Sequence, residues 1–454
     1  MADATTRTPR AVRKVVGLLV AAAIVAVFAV VAVRDDDPAD TTGAGTTVSE
    51  TSSTTTTVVP TTTVAPSTAP SLSTAPIATV AAAQGGDFVA VTPTRLIDTR
   101  TGLGTTGAKA GKAPLVTASI AGSTGTTAPG SVKALALNVT IAEPSQAGFL
   151  TVAAAGSRPS DVSQIAFVSA TASSLIVTRA NVDGLVELRL SDGASSHIIV
   201  DLLGYFVSQR SPSNLSIVPD AQPRALFDSR TNLPVEPAKT VDLTLPAPAA
   251  GAILGITATG ARGSGYLTVY GGATRPDTSA VNFAAGHDAT ALAVVATGAD
   301  RVVHIYNGSS AAVHVVVFQI ARLEAGTPAE GLALNIEGTI AQDGRSAPFP
   351  FRTVDTRGTA TCSIALGGGV SNITTIFPKA KALLVSVTAV NASIASFLTA
   401  YTGATQPPGV ATLNFNAREV RSNLALVPVS GDRVNIVCGG GNPEYILDVL
   451  ATLE

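Results

Sequence analysis

Residues 93–100 read Pro-Thr-Arg-Leu-Ile-Asp-Thr-Arg, and the chain repeats the core of this motif twice more. The second copy reads Arg-Ala-Leu-Phe-Asp-Ser-Arg over residues 224–230, and the third reads Arg-Thr-Val-Asp-Thr-Arg over residues 352–357. The aspartate and the following arginine of the three copies are Asp98 and Arg100, Asp228 and Arg230, and Asp355 and Arg357. The aspartates stand 130 and 127 residues apart, and such a near-constant spacing indicates a duplicated structural unit.

Two further motifs follow the first one, in the same order in every copy. An aromatic-Leu-Thr motif begins at Gly148, Gly265 and Ser396. A proline then precedes an apolar stretch that ends in phenylalanine, and these pairs are Pro159 and Phe167, Pro276 and Phe283, and Pro407 and Phe415. Because the order of the three motifs is kept each time, we infer one ancestral unit that is present in three copies.

The hydrophobic pattern of each copy is typical of strands. In residues 135–141 the apolar side chains alternate, so that they would share one face of a strand; they are Leu135, Leu137, Val139 and Ile141. Each copy closes on a β-branched apolar run, within residues 198–206, 313–320 and 445–450. Short strands at roughly ten-residue spacing are typical of a two-sheet sandwich or a jelly roll.

We therefore predict an all-β protein in which three tandem β-sandwich or jelly-roll-like modules occupy residues 86–210, 211–324 and 325–454. The linker between the second and third modules, residues 325–345, is expected either to be flexible or to add a strand to a neighbour.

The N-terminus predicts a membrane anchor. Residues 15–33 contain no charged or strongly polar side chain, and as a helix they would span roughly 28 Å, which is about one bilayer. Basic residues precede this segment and aspartates follow it, so residues 1–14 are expected to stay cytoplasmic and the rest of the chain to be extracellular. The alternative is a signal peptide cleaved after Ala32, which would release a secreted protein; the length of the apolar run favours the anchor.

Residues 34–85 predict a disordered stalk. Most of this segment is Ser, Thr, Pro, Ala and Val, and no aromatic residue interrupts it. Such a composition buries too little apolar surface to offset the entropy of ordering the chain. The stalk is expected to hold the modules away from the lipid bilayer that residues 15–33 would cross.

Composition excludes one class of partner. Charged residues make up 13% of the chain, against roughly 25% in an average protein, and the net charge is -2. A nucleic-acid binder needs an excess of Lys and Arg to neutralise phosphates, and this chain has none. We therefore predict no nucleic-acid partner.

The sequence predicts no enzyme, no cofactor and no metal site. It lacks the nucleophile elbow, the zinc-protease helix motif and a phosphate-binding glycine loop. His304 and His314 are expected on neighbouring strands of one hairpin, close enough to share a metal, but no third ligand accompanies them. No residue is therefore assigned a catalytic role.

The two cysteines, Cys362 and Cys438, both fall in the third copy. An even pair within one module of an exported protein favours a disulfide. Its loop of 76 residues would stabilise the module by at most about 4.5 kcal/mol.

The repeated aspartate and arginine allow two interpretations. Side chains two apart on a strand share a face, so each pair could hold a sugar hydroxyl or a carboxylate. Alternatively, each pair is a structural clamp that ties the start of a module to its sheet. Because the pair recurs in every copy while other positions differ, the structural role is favoured.

The first copy resembles the tandem modules of actinobacterial secreted and cell-surface proteins. The similar stretches are the opening motif at 93–100, Leu-Asn-Val-Thr at 137–140, Gly-Phe-Leu-Thr-Val at 148–152 and Ile-Val-Asp-Leu-Leu-Gly-Tyr-Phe at 199–206. In the second copy, Val317 is matched to the aspartate of the last stretch. The resemblance spans residues 88–453 and implies a surface location, with no established catalytic activity.

Two functions remain open. The modules could be structural or adhesive elements that contact cell-envelope proteins, or they could bind wall glycans as tandem carbohydrate-binding modules. Trp is absent and there are only six Tyr, whereas sugar platforms usually present exposed aromatic rings. The sequence therefore favours the structural or adhesive role.

Overall fold

The computed structural model describes residues 86–117, 132–157, 162–168, 170–211, 214–336, 339–342, 345–359, 362, 368–371, 373–403 and 407–454. The predicted cytoplasmic tail (1–14), transmembrane helix (15–33) and stalk (34–85) lie outside these residues. Within the described ranges, no helix combines the length and the hydrophobicity that a membrane crossing requires.

The described chain is all-β with antiparallel sheets, as predicted. Its first eight strands are β1 (Gly86–Asp98), β2 (Leu115–Val116), β3 (Val132–Ala142), β4 (Gly148–Ala154), β5 (Ile165–Phe167), β6 (Ala172–Arg179), β7 (Val186–Leu190) and β8 (His197–Ser211). One sheet has the order β1-β8-β3-β6, and the other has the order β2-β7-β4-β5. The two sheets face each other across an apolar core, and we refer to β1–β8 as the first sandwich.

The next eight strands repeat this arrangement and form the second sandwich. They are β9 (Leu215–Asp228), β10 (Thr240–Thr244), β11 (Gly251–Thr259), β12 (Gly265–Tyr270), β13 (Val281–Phe283), β14 (Ala289–Ala296), β15 (Val302–Asn307) and β16 (His314–Ala325). A 3-10 turn, Ser229–Thr231, follows β9. The sheets have the orders β9-β16-β11-β14 and β10-β15-β12-β13, which match the first sandwich strand for strand.

The remaining strands form the third sandwich and its approach. They are β17 (Leu334–Asn335), β18 (Thr339–Gln342), β19 (Arg345–Pro348), β20 (Phe351–Asp355), β21 (Gly368–Ser371), β22 (Ala382–Val390), β23 (Ser396–Thr402), β24 (Leu413–Phe415), β25 (Arg421–Pro428), β26 (Arg433–Cys438) and β27 (Glu444–Leu453). One helical turn, α1 (Ile373–Ile376), precedes β22. The sheet orders are β20-β27-β22-β25 and β21-β26-β23-β24.

The linker between the second and third copies adds a strand, which was one of the two expected outcomes. Leu334 and Asn335 pair with Leu453 and Thr452, so β17 extends the edge of β27 that β20 also occupies. Residues 339–342 and 345–348 form a separate two-stranded hairpin.

The alternation in β3 places its apolar side chains as predicted. Leu135, Leu137, Val139 and Ile141 are fully buried in the core of the first sandwich. The opposite face of β3 is also buried, because Ala134 and Ala136 belong to a different apolar cluster.

That cluster is shared by all three sandwiches. It gathers the outward side chains of the sheets that contain β1, β9 and β20, among them Phe88, Leu215, Leu292, Leu384 and Leu426. Because both faces of these sheets are buried, some strands are buried at every position, as in β22, where the polar side chains Ser386 and Thr388 are also buried.

The contacts between sandwiches run in a cycle. Strand β6 packs against β13, β14 packs against β24, and β25 packs against β5. The three strands β6, β14 and β25 are equivalent in sheet order, and they also contact one another. The first and second sandwiches also share one continuous sheet. Phe88 of β1 pairs with Leu215 of β9, so their strands form an eight-stranded sheet of order β14-β11-β16-β9-β1-β8-β3-β6.

The predicted disulfide is present. Cys362 and Cys438 are bonded, with their Cα atoms 6.1 Å apart, and both are buried in the core of the third sandwich. The bond ties the segment that follows β20 to the end of β26.

Candidate functional site

The repeated motif forms a closed local ion pair. Asp98 ends β1, and its carboxylate accepts hydrogen bonds from the Arg100 backbone N–H at 3.0 Å and from Arg100 Nε at 2.9 Å. A third bond joins the second guanidinium nitrogen of Arg100 to the other carboxylate oxygen at 2.7 Å. The guanidinium therefore grips the carboxylate in the bidentate geometry that arginine favours.

The other two copies have the same geometry. Arg230 donates to Asp228 from its backbone N–H and Nε at 2.9 Å each. Arg357 donates to Asp355 from its backbone N–H at 3.2 Å and from Nε at 2.9 Å. Each carboxylate is thus occupied by an arginine of its own motif, which supports the clamp interpretation over an open ligand site.

These arginines keep the carboxylates ionised. The side-chain hydrogen bond from Arg357 lowers the pKa of Asp355 to about 2, well below its ordinary value. The corresponding bond from Arg230 also lowers the pKa of Asp228. A carboxylate held ionised by a permanent partner is a poor general acid at neutral pH.

The residue between the aspartate and the arginine has a role that the sequence analysis missed. The hydroxyl of Thr99 accepts the Ile198 backbone N–H at 2.9 Å, and the hydroxyl of Ser229 accepts the Val315 N–H at 2.8 Å. Thr356 accepts the Tyr445 N–H at 2.8 Å. The signal was present in the sequence, since all three copies have a hydroxyl at this position.

Arg95 extends the first clamp into a network. Its Nε donates to Asp201 on β8 at 2.9 Å, and its guanidinium also contacts Asp98 at 3.4 Å. The same guanidinium reaches the second sandwich, where it lies 3.1 Å from the Asp277 carboxylate and bonds the Asp277 carbonyl oxygen. The network therefore lies at the junction of the first two sandwiches.

This junction lines an open cavity of about 370 Å³, with Arg95, Arg100 and Asp277 on its walls. The Asp277 side chain is fully exposed, so its ion pair with Arg95 is screened by water and contributes little energy.

The Asp201 side chain, in contrast, is only 1% exposed. Burial raises the pKa of Asp201 to about 6; the carboxylates of Asp277 and Asp98 act in the same direction, and the bond from Arg95 opposes them.

The copies differ at this network. Arg352 and Asp448 reproduce the Arg95 and Asp201 pair in the third sandwich, with a 2.8 Å bond. In the second sandwich Ala225 lies opposite Phe318, so the pair is missing there. The strand register corrects the sequence alignment by one residue: Phe318, and not Val317, occupies the position of Asp201.

The expectation that His304 and His314 share a hairpin is wrong. Their strands, β15 and β16, belong to opposite sheets of the second sandwich. His314 Nδ1 lies 3.2 Å from the Ser229 hydroxyl, as His197 lies 3.0 Å from that of Thr99, whereas His304 Nδ1 lies 2.7 Å from Asp242. In the described part of the chain, no three His, Cys, Asp or Glu side chains are grouped as metal ligands would be.

No protein-family model matches this chain, and no curated protein sequence matches it.

Proposed function

We propose that this protein is a non-catalytic component of the cell envelope, in which three tandem jelly-roll modules are held outside the membrane by one N-terminal helix and a flexible stalk. Its role in this proposal is structural or adhesive. The partners are cell-envelope proteins that contact the exposed surface of the three-module body.

The shared apolar cluster is the observation that carries this proposal. Phe88, Leu292 and Leu426 come from three different sandwiches and are buried together. Burial of this kind stabilises by roughly 25 cal/mol per Å² of apolar surface, so the three units favour one fixed arrangement. A fixed body with three related outer surfaces is suited to holding or spacing partners.

The polar motifs support a non-catalytic role. Asp228 and Asp355 are held ionised by their own arginines, and the hydroxyls of Thr99 and Thr356 are committed to backbone amides. These groups are arranged to fix the chain rather than to turn over a substrate.

The membrane location rests on residues 15–33 and their flanking charges. Full-length protein with a C-terminal tag should stay with the membrane after alkaline carbonate extraction, and external protease should remove the tag from intact cells. Ile24→Arg places a charge in the apolar segment and should release the protein from the membrane fraction.

Three results would contradict the proposal. A tag protected in intact cells would place the modules inside, and extraction of the unaltered protein by carbonate would exclude an integral anchor. Recovery of the protein in the medium, starting near residue 33, would mean that the segment is a cleaved signal peptide.

Glycan binding is a second candidate function. It is favoured by one feature of the second sandwich, where Tyr270, His304 and Tyr306 lie close together on the outer sheet. The small number of aromatic residues in the sequence gives no indication of this grouping, because the side chains come from two different strands.

A further inference from the structure

The outer face of the second sandwich has a row of polar and aromatic side chains across three neighbouring strands. Asp242 on β10 pairs in register with His304 on β15, and His304 pairs with Tyr270 on β12. His304 Nδ1 lies 2.7 Å from Asp242 Oδ1, and the rings of Tyr270 and His304 are 4.9 Å apart. Because a carboxylate only accepts, Nδ1 donates to it and Nε2 is left for a second partner.

A loop adds a guanidinium to this row. Arg275, in the loop between β12 and β13, stacks its guanidinium carbon 3.9 Å from the ring centre of Tyr306. Tyr306 follows His304 by two residues, so both side chains lie on the same outer face of β15. The Thr268 hydroxyl donates to the Thr278 carbonyl at 2.6 Å, which fixes the far end of the loop against β12.

The equivalent positions of the other sandwiches do not offer this chemistry. In the first sandwich, the positions of Tyr270, His304 and Tyr306 are taken by Ala153, Glu187 and Arg189, as the strand register shows. There Arg189 donates to Glu187 at 2.8 Å, so the two charges neutralise each other. In the third sandwich, the same positions hold Tyr401, Asn435 and Val437, so a tyrosine is kept but the imidazole and the second aromatic ring are missing.

Arg275 differs from Arg189 in its charge balance. Arg275 is exposed, and among the residues that the structure describes none places a carboxylate within ion-pair distance of it. Stacking on Tyr306 orients the guanidinium plane and leaves its N–H groups to bond outward. The neighbouring Asp242 is 64% exposed and can accept hydrogen bonds.

We propose that this row, Asp242, Tyr270, Arg275, His304 and Tyr306, binds an acidic saccharide. The carboxylate and the imidazole take sugar hydroxyls, the half-buried Tyr306 ring contacts the apolar face of the sugar, and Arg275 pairs with a carboxylate or a phosphate of the glycan. The buried Tyr270 ring supports His304 from below. This inference rests on the glycan-binding candidate above, and it names the module and the charge of the ligand.

The test uses the full-length protein and three immobilised probes: a hexuronate oligosaccharide, a glycerol-phosphate polymer and a neutral glucan. Binding to an acidic probe is expected to exceed binding to the glucan. Arg275→Gln should weaken that binding by about tenfold, because one charge-assisted pair is lost. The matched control is Arg189→Gln, which alters the equivalent face of the first sandwich and should leave binding unchanged. The two acidic probes distinguish a carboxylate from a phosphate ligand.

A thermal unfolding curve for each variant confirms that the fold is intact, and Asp242→Asn supplies a second variant on another strand. The inference is overturned if no probe binds, if the glucan binds as well as the acidic probes, or if Arg189→Gln and Arg275→Gln reduce binding equally. The protease experiment on intact cells uses no ligand, so it tests only the membrane location. If that experiment failed, the interpretation of the glycan-binding data would not change.

Discussion

At the scale of single residues, the three consecutive side chains of each repeated motif make two kinds of contact: an ion pair within the motif and a hydrogen bond to the last strand of the sandwich. In the third copy, Asp355 accepts the backbone and side chain of Arg357, and Thr356 between them accepts the backbone of Tyr445. The outer two residues close a turn, and the middle one joins that turn to the last strand of the sandwich. Because both contacts stabilise the fold that the three copies share, the motif recurs where other positions differ.

The Asp355 clamp predicts a loss of stability in acid. The hydrogen bond from Arg357 lowers the pKa of Asp355 to about 2, so its contribution is present above the ordinary pKa near 4 and is lost as the pH falls towards 2. Asp355→Asn should therefore reduce the free energy of unfolding by about 1 kcal/mol at pH 6, after allowance for solvent screening, and by clearly less near pH 2, where the carboxylate is about half protonated. Urea unfolding at both pH values measures this, and Asp228→Asn should behave alike. A deficit that is the same at pH 2 and pH 6 would refute the ionic clamp.

Asp201 predicts the opposite dependence on pH. Burial raises the pKa of Asp201 to about 6, so the folded state holds this proton more tightly than the unfolded chain, and stability falls as the pH rises from 4 to 7. Asp201→Asn removes the titrating group, so its stability relative to the unaltered protein should rise over that range, by up to about 3 kcal/mol. Asp448→Asn should show the same direction, since burial also raises the pKa of Asp448. A relative stability that is constant from pH 4 to 7 would contradict the assignment.

At the scale of elements, the sandwiches repeat one strand order but differ in what their outer sheets present. Strand β15 carries His304 and Tyr306 outward, whereas β7, its equivalent in the first sandwich, carries Glu187 and Arg189. The inward positions of both strands are buried, and all of them are apolar except Asn307 at the end of β15. A strand can therefore change one face freely as long as the other still fills the core.

The loop that carries Arg275 begins at a close backbone contact. A methyl group at Gly271 would overlap the carbonyl oxygen of Ala296, whereas one at Gly272 would meet nothing within 4 Å. Gly271→Ala should therefore destabilise the protein by about 1–3 kcal/mol, and Gly272→Ala should have little effect. Thermal unfolding of the two variants measures the difference. Equal effects would show that the contact is not tight.

At the scale of the whole molecule, the three sandwiches pack in a cycle around their shared cluster. Each contributes the outward face of four strands, and each uses the equivalent strand, β6, β14 or β25, to contact the next sandwich. Polar contacts also cross two of these boundaries, where Asn138 bonds the Ser279 carbonyl and Thr290 bonds Asn414 at 3.3 Å. The three sequence copies therefore use equivalent strands to form the boundaries between sandwiches.

The shared cluster predicts cooperative unfolding. Calorimetry of the full-length protein should show one transition for the three sandwiches, because none can unfold without exposing apolar surface of the other two. Phe88→Ala in the shared cluster and Leu398→Ala inside the third sandwich should each lower that single transition, with a cost of about 2–5 kcal/mol. Three separate transitions, or a shift of only one part, would show that the sandwiches are independent.

The sequence by itself determined the all-β class, the inward faces and the disulfide. Leu135 and Ile141 were assigned to a core because side-chain alternation is a local property of a strand, and Cys362 and Cys438 were the only possible pair. The recurrence of Asp98, Asp228 and Asp355 likewise needed no structure.

Only the tertiary structure decided which surfaces meet. It buried Ala134 and Ala136 in a second core, brought Asp277 to Arg95, and placed His304 beside Asp242 instead of His314. These residues stand far apart in the chain, and no periodic pattern links them. Their contacts form only when strands pair into sheets and the folded sandwiches pack against one another. That packing depends on the complementary shape of the outward sheet faces and on the burial of their apolar side chains.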